Sequence, residues 1–278
     1  MTTLIRQIYQ GYCYVNDELS DPRTQDLFLI SSPWALVGII TFYLYFVFDL
    51  GPNWMARKKP LNLDKIVQLY DLLQIIVCTY LLYKALTLAW LNDYSFYCQP
   101  VDYSYDPRAV EISKLVWVYF MVKVFDLFDT IFFVLRKKQG QISFLHVYHH
   151  VGMTLGSWIA AKFFPGGQVT FIGTINSFVH IVMYTHYLAT SLKISKPWWK
   201  KYITQLQLTQ FCLILLQFIF LISTDCNFPK WTAAAMIPQN LFMIMMFGEF
   251  YYKTYIKKRK SNTDASPRDV PNGSLKSQ

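Results

Sequence analysis

Three histidines stand close together in the middle of this 278-residue chain, in the sequence His146-Val147-Tyr148-His149-His150. In an α-helix, at about 100° per residue, their imidazoles would occupy an arc of roughly 100° and so share one face. Imidazole can act as a nucleophile, as an acid or base, and as a metal ligand near neutral pH. All five histidines fall within 41 residues, so the pattern predicts a functional site rather than scattered structural side chains.

More polar residues follow the histidine box at helical spacing. Asn176, His180 and Tyr184 would lie within about 100° of one another on a helix. His186 falls off that face and is predicted to be a structural or interfacial residue near the cytosolic end. In the next apolar segment, Gln207 and Gln210 are neutral hydrogen-bond donors. They are expected either to bind an amide or a developing oxyanion or, equally, to form hydrogen bonds between helices.

Three charged residues precede the box at similar spacing. Lys123, Asp126 and Asp129 would share an arc of about 120°. Lys123 and Asp126 either bind substrate or form an internal ion pair, since buried charges need partners whatever the function. Asp129 is a candidate for orienting an imidazole through its N–H.

The spacing of the box also allows a metal-site interpretation. Imidazoles at i, i+3 and i+4 could chelate one ion, and membrane di-iron desaturases carry such boxes, but they use about eight histidine ligands. Five histidines in the whole chain make that class improbable and favour a site without metal. A single ion held by His146, His149, His150 or His180 is the less favoured alternative.

The segments that must position these residues are strongly apolar. Apolar residues make up 54% of the chain, charged residues 15%, and the mean hydropathy is +0.24, which argues against a soluble globular enzyme and excludes a charge-rich disordered chain. A membrane span needs about 20 apolar residues. Seven segments meet this requirement and predict an all-α integral membrane protein: 28-49, 67-91, 113-135, 144-164, 167-190, 204-224 and 232-252.

The basic residues predict how the chain is oriented. Of 26 Lys and Arg residues, 18 fall in the loops after spans one, three and five and in the C-terminal tail, which places those regions in the cytosol and the N-terminus on the opposite, lumenal side. We therefore expect a lumenal segment at 1-27 without a cleaved signal peptide, a membrane domain at 28-256 and a disordered basic tail at 257-278. Basic residues at span ends do not indicate nucleic-acid binding.

Two cysteines lie in predicted noncytosolic loops. Cys98 lies in the loop that joins the second and third spans, and Cys226 lies in the loop that joins the sixth and seventh. An oxidising lumen would permit a disulfide between them. Two free thiols are the alternative, and Cys13 is a competing partner on the same side.

Four motifs in order resemble the family of elongases of very-long-chain fatty acids. They are KVFDLFDT at 123-130, HVYHH at 146-150, NSFVHIVMY at 176-184 and TQLQLTQF at 204-211. The family pattern KxxExxDT is met with Asp126 in place of Glu, which retains the charge. The chain is most similar to the subgroup that acts on saturated and monounsaturated acyl chains.

The resemblance implies a 3-ketoacyl-CoA synthase of the endoplasmic reticulum membrane that condenses malonyl-CoA with a long-chain acyl-CoA, releasing CO2 and CoA. It implies seven helices, the second to seventh enclosing an acyl tunnel open to the cytosol, and a box histidine as acyl acceptor. No tightly bound cofactor is expected. The implied partners are the bilayer, the two CoA substrates, and the ketoacyl reductase, dehydratase and enoyl reductase of the cycle, with a homodimer as one alternative for the oligomeric state.

Roles for individual residues follow from this chemistry. We expect His149 to be the nucleophile and His180 to assist decarboxylation or thiolate departure, while His146 and His150 orient or polarise. We expect Asn176, Tyr184 and Gln207 to stabilise the oxyanion and the enolate. The CoA phosphates are expected to bind Arg136, Lys137 and Lys138. An equally favoured explanation of these three basic residues is the positive-inside topology of the membrane protein alone.

A proton-coupled transporter or a seven-helix receptor is the competing class. Buried histidines and aspartates also suit proton relays. A relay would distribute its ionisable groups across the membrane, whereas an enzyme site would gather them at one depth.

Overall fold

The computed structural model describes residues 2–194 and 199–257, and within these ranges the chain consists of helices and loops without a β-strand. The all-α prediction is confirmed for this part of the chain. The predicted tail lies almost entirely outside the described residues. The helices are α1 Thr2–Cys13, α2 Pro33–Met55, α3 Asp64–Trp90, α4 Pro107–Phe125, α5 Leu127–Leu135, α6 Phe144–Phe163, α7 Val169–Ser191, α8 Lys200–Ser223 and α9 Trp231–Lys257.

Four of these helices, α2, α3, α8 and α9, are long and apolar enough to cross a membrane. They support a multi-pass membrane protein. The other predicted spans fall on α4 with α5, on α6 and on α7, which carry most of the polar candidate residues. The third predicted span is interrupted, because α4 ends at Phe125 and α5 begins at Leu127.

Side-chain caps fix where several helices begin. Ser32 precedes Pro33 at the start of α2, and its hydroxyl accepts a hydrogen bond from the Trp34 amide. At the start of α6, the Ser143 hydroxyl accepts from the His146 amide at 3.2 Å. The register of the histidine box therefore follows from a local signal.

Apolar packing joins the long helices. The largest buried cluster unites α2, α4, α6, α8 and α9 through residues such as Leu36, Phe120, Trp158, Phe218 and Ala233. In addition, α3 packs along α7, and α8 packs along α9. Between helices that cross a membrane, close van der Waals packing of such side chains stabilises the contact.

The bundle has two distinct ends. We call the end at which α6 begins, near Ser143, the histidine end, and the end near Cys98 and Cys226 the disulfide end. The structure joins these two cysteines in a disulfide with 5.6 Å between their Cα atoms. Cys13, the competing partner, is free.

Residues 20–31 cross the disulfide end as a strap, bonded chiefly to main-chain groups. The Asp21 amide donates to the Lys162 carbonyl at 2.8 Å, and the Thr24 hydroxyl donates to the Ala161 carbonyl at 2.7 Å. The indole of Trp158 donates to the Leu29 carbonyl at 2.8 Å. Arg23 pairs with the Asp21 carboxylate at 2.6 Å, and this contact raises the pKa of Arg23. The strap thus fixes the end of α6.

Candidate active site

An elongated cavity of about 370 Å³ lies among α3, α4, α6, α7, α8 and α9. Its wall is mostly apolar, extends along α6 from His149 to Ala160 and includes Phe164, just beyond the end of that helix. At 1.5 Å of rise per residue, the eleven helical steps from His149 to Ala160 correspond to about 16 Å. Polar side chains that face the cavity include His149, Asn176 and Gln210, so a reactive group lies beside a long apolar space.

The three box histidines share one face of α6, as their spacing predicts. The ring centroids of His146 and His150 are 4.2 Å apart, and those of His149 and His150 are 5.7 Å apart. Nε2 of His146 is 2.9 Å from the Thr130 hydroxyl, which is 2.8 Å from the Tyr43 hydroxyl. His146 is therefore anchored away from the cavity, whereas His149 lines it.

Asp126 stands at the junction of α4 and α5 as the centre of a buried polar network. Lys123 and Asp126 are each 2% exposed, and Nζ of Lys123 donates to Oδ2 of Asp126 at 2.8 Å. Nε2 of Gln74 donates to Oδ1 at 2.7 Å, and Nδ1 of His180 is 3.7 Å from Oδ2. The ion pair expected for Lys123 and Asp126 is present, and the ring of His180 lies beside it without a hydrogen bond from Nδ1 to any residue that the structure describes.

Asp129 contacts a tyrosine rather than an imidazole. The Tyr184 hydroxyl donates to Oδ2 of Asp129 at 2.8 Å and lies 3.3 Å from Oδ1 of Asp126. The expectation that Asp129 orients an imidazole is thus corrected. The carboxylate that lies beside an imidazole is that of Asp126, three residues earlier in the chain, and the imidazole is that of His180. Tyr184, expected near the enolate, instead bridges the two carboxylates.

A second group of hydrogen bonds lies against the cavity. The Tyr119 hydroxyl donates to Oδ1 of Asn176 at 2.9 Å, and Nδ2 of Asn176 donates to Oε1 of Gln210 at 3.3 Å. Gln207 is elsewhere on α8, with its Nε2 3.7 Å from Sδ of Met183. Gln210 therefore meets the cavity, and Gln207 connects α8 with α7.

The three basic candidates lie beside the histidine end, in the loop after α5. Arg136 pairs with Asp64 at 2.6 Å, and Nζ of Lys137 donates to the Ala56 carbonyl at 3.3 Å. Lys138 is exposed, and partial burial together with the charge of Arg136 lowers its pKa. Of the three side chains, Arg136 thus contacts the first residue of α3, and Lys137 contacts the loop between α2 and α3.

Comparison with known proteins identifies the family. The model of the GNS1/SUR4 (ELO) family matches residues 28–263. The chain belongs to this family. It is 38% identical to very long chain fatty acid elongase 7 of Drosophila melanogaster over 277 residues, covering 98% of this chain and 84% of that protein.

Two mammalian relatives show similar identity. Very long chain fatty acid elongase 4 of Homo sapiens is 38% identical over 265 residues, which is 94% of this chain and 84% of that protein. Very long chain fatty acid elongase 1 of Mus musculus is 37% identical over 247 residues, 87% of this chain and 88% of that protein. The family resemblance predicted from the four motifs is confirmed.

Several residues of the candidate site were not predicted from the sequence. Tyr70 and Gln74 of α3 join the Asp126 network, the Tyr70 hydroxyl lying 3.3 Å from that of Tyr184. Tyr119 orders Asn176, and Tyr43 holds Thr130. An amide inside an apolar span was the available signal for Gln74, whereas tyrosines are too common in such segments to stand out.

The remaining candidate positions complete the description of the site. His186 contacts the rings of Tyr187 and Trp199, in keeping with the structural role predicted for it. In the described ranges, no group of three or more His, Cys, Asp or Glu side chains is placed to hold a metal ion. His146 is held by its hydrogen bond to Thr130, and the rings of the box histidines contact one another.

Proposed function

We propose that this chain is the condensing enzyme of very-long-chain fatty acid elongation. It would join malonyl-CoA to a long-chain acyl-CoA to give 3-ketoacyl-CoA, CO2 and CoA. The observation that carries this proposal is the position of His149, a box histidine on the wall of a long apolar cavity. Membership of the GNS1/SUR4 family supports it, as do the names of the relatives, which are very long chain fatty acid elongases.

The first half-reaction transfers the acyl group to His149. A ring nitrogen of the imidazole attacks the thioester carbonyl, the C–S bond breaks, and the imidazole proton ends on the departing CoA thiolate. The acyl chain then occupies the cavity, whose apolar wall excludes water that would otherwise hydrolyse the acyl-imidazole.

The second half-reaction forms the new carbon–carbon bond. Malonyl-CoA loses CO2, and the electron pair released at its methylene carbon attacks the acyl carbon. His149 leaves as the C–N bond breaks and takes up a proton from solution, which restores the neutral imidazole. Each turnover therefore consumes one proton, one acyl-CoA and one malonyl-CoA, and no tightly bound cofactor is required.

His180 is the proposed partner of this second step. Its Nδ1 lies 3.7 Å from Oδ2 of Asp126. The Lys123–Asp126 pair holds that carboxylate in place, so the ring of His180 lies beside a fixed negative charge. We propose that its other nitrogen stabilises the enolate or assists decarboxylation.

The oxyanion of the thioester would be stabilised by amide donors at the cavity wall. Asn176 is fixed by Tyr119 on one side and by Oε1 of Gln210 on the other. An amide pair ordered in this way can present Nε2 of Gln210 to a carbonyl oxygen. His146 and His150 would orient the ring of His149. His146 is anchored on Thr130, and His150 contacts the rings of both His146 and His149.

The membrane placement of the enzyme is part of the proposal. Seven spans, a lumenal N-terminus and a cytosolic C-terminus would put the histidine end and the basic loop 136-138 where CoA phosphates arrive in the cytosol. The disulfide would then face the oxidising lumen of the endoplasmic reticulum. The reductases and the dehydratase of the cycle would receive the ketoacyl product. A homodimer is one alternative for the oligomeric state of the enzyme.

The two half-reactions can be tested separately with purified protein. Labelled acyl-CoA supplied without malonyl-CoA should release CoA stoichiometrically and leave the acyl label on the protein. With malonyl-CoA added, the label should appear in 3-ketoacyl product. His149→Ala should abolish both events while eluting and melting like the wild type.

His186→Asn is the matched control, because it removes a histidine of α7 outside the cavity and should retain acyl transfer. A wild-type protein that forms no ketoacyl product with any acyl-CoA would disprove the condensation proposal and favour the transporter class. Acyl labelling that persists in His149→Ala would leave the enzyme but reject His149 as the nucleophile.

A further inference from the structure

Helix α1, Thr2–Cys13, has two chemically different faces. On a projection at 100° per residue, its apolar side chains fall within an arc of about 140°: these are Leu4, Ile5, Ile8, Tyr9 and Tyr12. The polar and small residues occupy the opposite side: Thr3, Arg6, Gln7, Gln10 and Gly11. The sequence pattern is that of an amphipathic helix.

The apolar face of α1 is not covered by the described part of the chain. Leu4, Ile5, Ile8 and Tyr9 are each between 60% and 65% exposed. An isolated helix of twelve residues is marginal in water, because nucleation is costly and most helical stability comes from packing of an apolar face. A surface that covers this face is therefore required to hold α1 in its helical form.

The position of α1 identifies that surface. The ring of Tyr12 lies 6.4 Å from that of Trp34, which is itself 67% exposed at the start of α2. Beyond α1, Nδ2 of Asn16 donates to the Ser31 carbonyl at 3.0 Å, just before α2 begins. Since α2 is apolar enough to cross a membrane, both contacts hold α1 beside the point at which a membrane helix leaves the bilayer.

From these observations we infer that α1 lies in the plane of the membrane interface at the N-terminal end of α2, with its apolar face in the acyl-chain region. Aromatic rings such as Tyr12 and Trp34 are typical of that depth. Arg6 is the one charged side chain among residues 2–13. The partner is therefore the hydrocarbon boundary of the lipid surface, and anionic headgroups are not needed for binding.

Spin labels on opposite faces of α1 test this placement in the full-length protein. Cys13, Cys78 and Cys212 are replaced by Ser or Ala, and the disulfide is kept. One nitroxide is attached at Ile8→Cys, and a matched one at Gln10→Cys, which lies about 200° away on the helix. The protein is reconstituted singly in phosphatidylcholine nanodiscs, and collision with oxygen and with a water-soluble nickel chelate is measured.

We expect the ratio of oxygen to nickel accessibility to be several-fold higher at position 8 than at position 10. The contrast should be unchanged when anionic lipid is added. Equal ratios at the two positions would show that α1 stays in water and would overturn the inference. Low accessibility of position 8 to both reagents would mean that protein covers the face, which would overturn it as well.

Discussion

Different kinds of interaction stabilise the two ends of the helix bundle. At the histidine end, buried side chains bond to one another, and the carboxylates of Asp126 and Asp129 share the Tyr184 hydroxyl. At the disulfide end, the strap at 20–31 bonds chiefly to main-chain carbonyls, and a covalent bond joins Cys98 to Cys226. The long cavity extends between these two regions.

This difference matches the different tasks that we propose for the two ends. A network of buried ionisable side chains is sensitive, because removing one member leaves its partner unpaired in a low-dielectric environment. Such a network can orient reactive imidazoles. Main-chain bonds and a disulfide hold geometry without offering a reactive group, which suits the closed end of an acyl cavity. Substitutions at the two ends should therefore differ in how stability and activity respond.

The largest effect is expected from breaking the buried ion pair at the histidine end. Lys123→Met removes the cation that lies 2.8 Å from Asp126 and leaves that carboxylate without its charge partner. Loss of one partner of a buried pair costs about 3–5 kcal/mol of unfolding free energy. Thermal unfolding in detergent should show a strongly lowered melting temperature, and ketoacyl synthesis should be lost.

A double variant separates the charge from the architecture. Lys123→Met with Asp126→Leu removes both charges, so much of the lost stability should return. Activity should not return, because His180 has lost its carboxylate. If the double variant is as active as the wild type, the Asp126 network does not orient the site.

The disulfide end should respond in stability with little change in chemistry. Cys98→Ser with Cys226→Ser removes a crosslink between residues 128 positions apart, which constrains the unfolded chain. The expected loss is about 2–4 kcal/mol. The rate constant for acyl transfer, measured below the melting transition, should stay near that of the wild type.

Treatment of the wild type with a reductant provides the matching control. It should lower the melting temperature by a similar amount, and it should have no effect on the double serine variant. A loss of acyl transfer in the folded serine variant would contradict the division of tasks between the two ends.

The same comparison explains which features could be predicted from the sequence. The shared face of the box histidines depends only on helical periodicity and on the Ser143 cap, both of which are local. The contact of His180 with Asp126 depends on how α7 packs against α3 and α4, which periodicity cannot reveal. The break at Asp126 was hidden in a continuous apolar segment. In α1, the overall polarity of residues 1-27 obscured a clear amphipathic pattern.

A smaller effect is expected from the hydroxyl that bridges the two carboxylates. Tyr184→Phe keeps the ring in its edge contact with Tyr70, whose centroid lies 5.8 Å away, and removes hydrogen bonds to Asp126 and Asp129. Losing hydrogen bonds to such groups costs about 1–3 kcal/mol. A modest fall in melting temperature should accompany a lower rate constant with unchanged Michaelis constant, because the substrate does not contact Tyr184 in the proposed site.

Steady-state kinetics with acyl-CoA and malonyl-CoA varied in turn would measure both constants. The conservative control is Tyr187→Phe, since Tyr187 is on the same helix and its side chain is 41% exposed. A raised Michaelis constant in Tyr184→Phe would instead indicate that this hydroxyl contacts substrate, as its sequence position had suggested.

The smallest change tests the cavity that connects the two ends. Gly173 lines the cavity, and an added Cβ would lie 3.6 Å from the Tyr119 ring, an ordinary contact. Gly173→Ala should therefore fold well and gain roughly 0.5–1 kcal/mol from helix propensity. Its methyl group occupies space that an acyl chain needs, so the preferred acyl-CoA should become shorter. Gly38→Ala gives the same helical gain on α2, with open space around the new Cβ, and should leave the product lengths unchanged. If the preferred acyl-CoA length changes in both variants, or in neither, this cavity does not select the chain length.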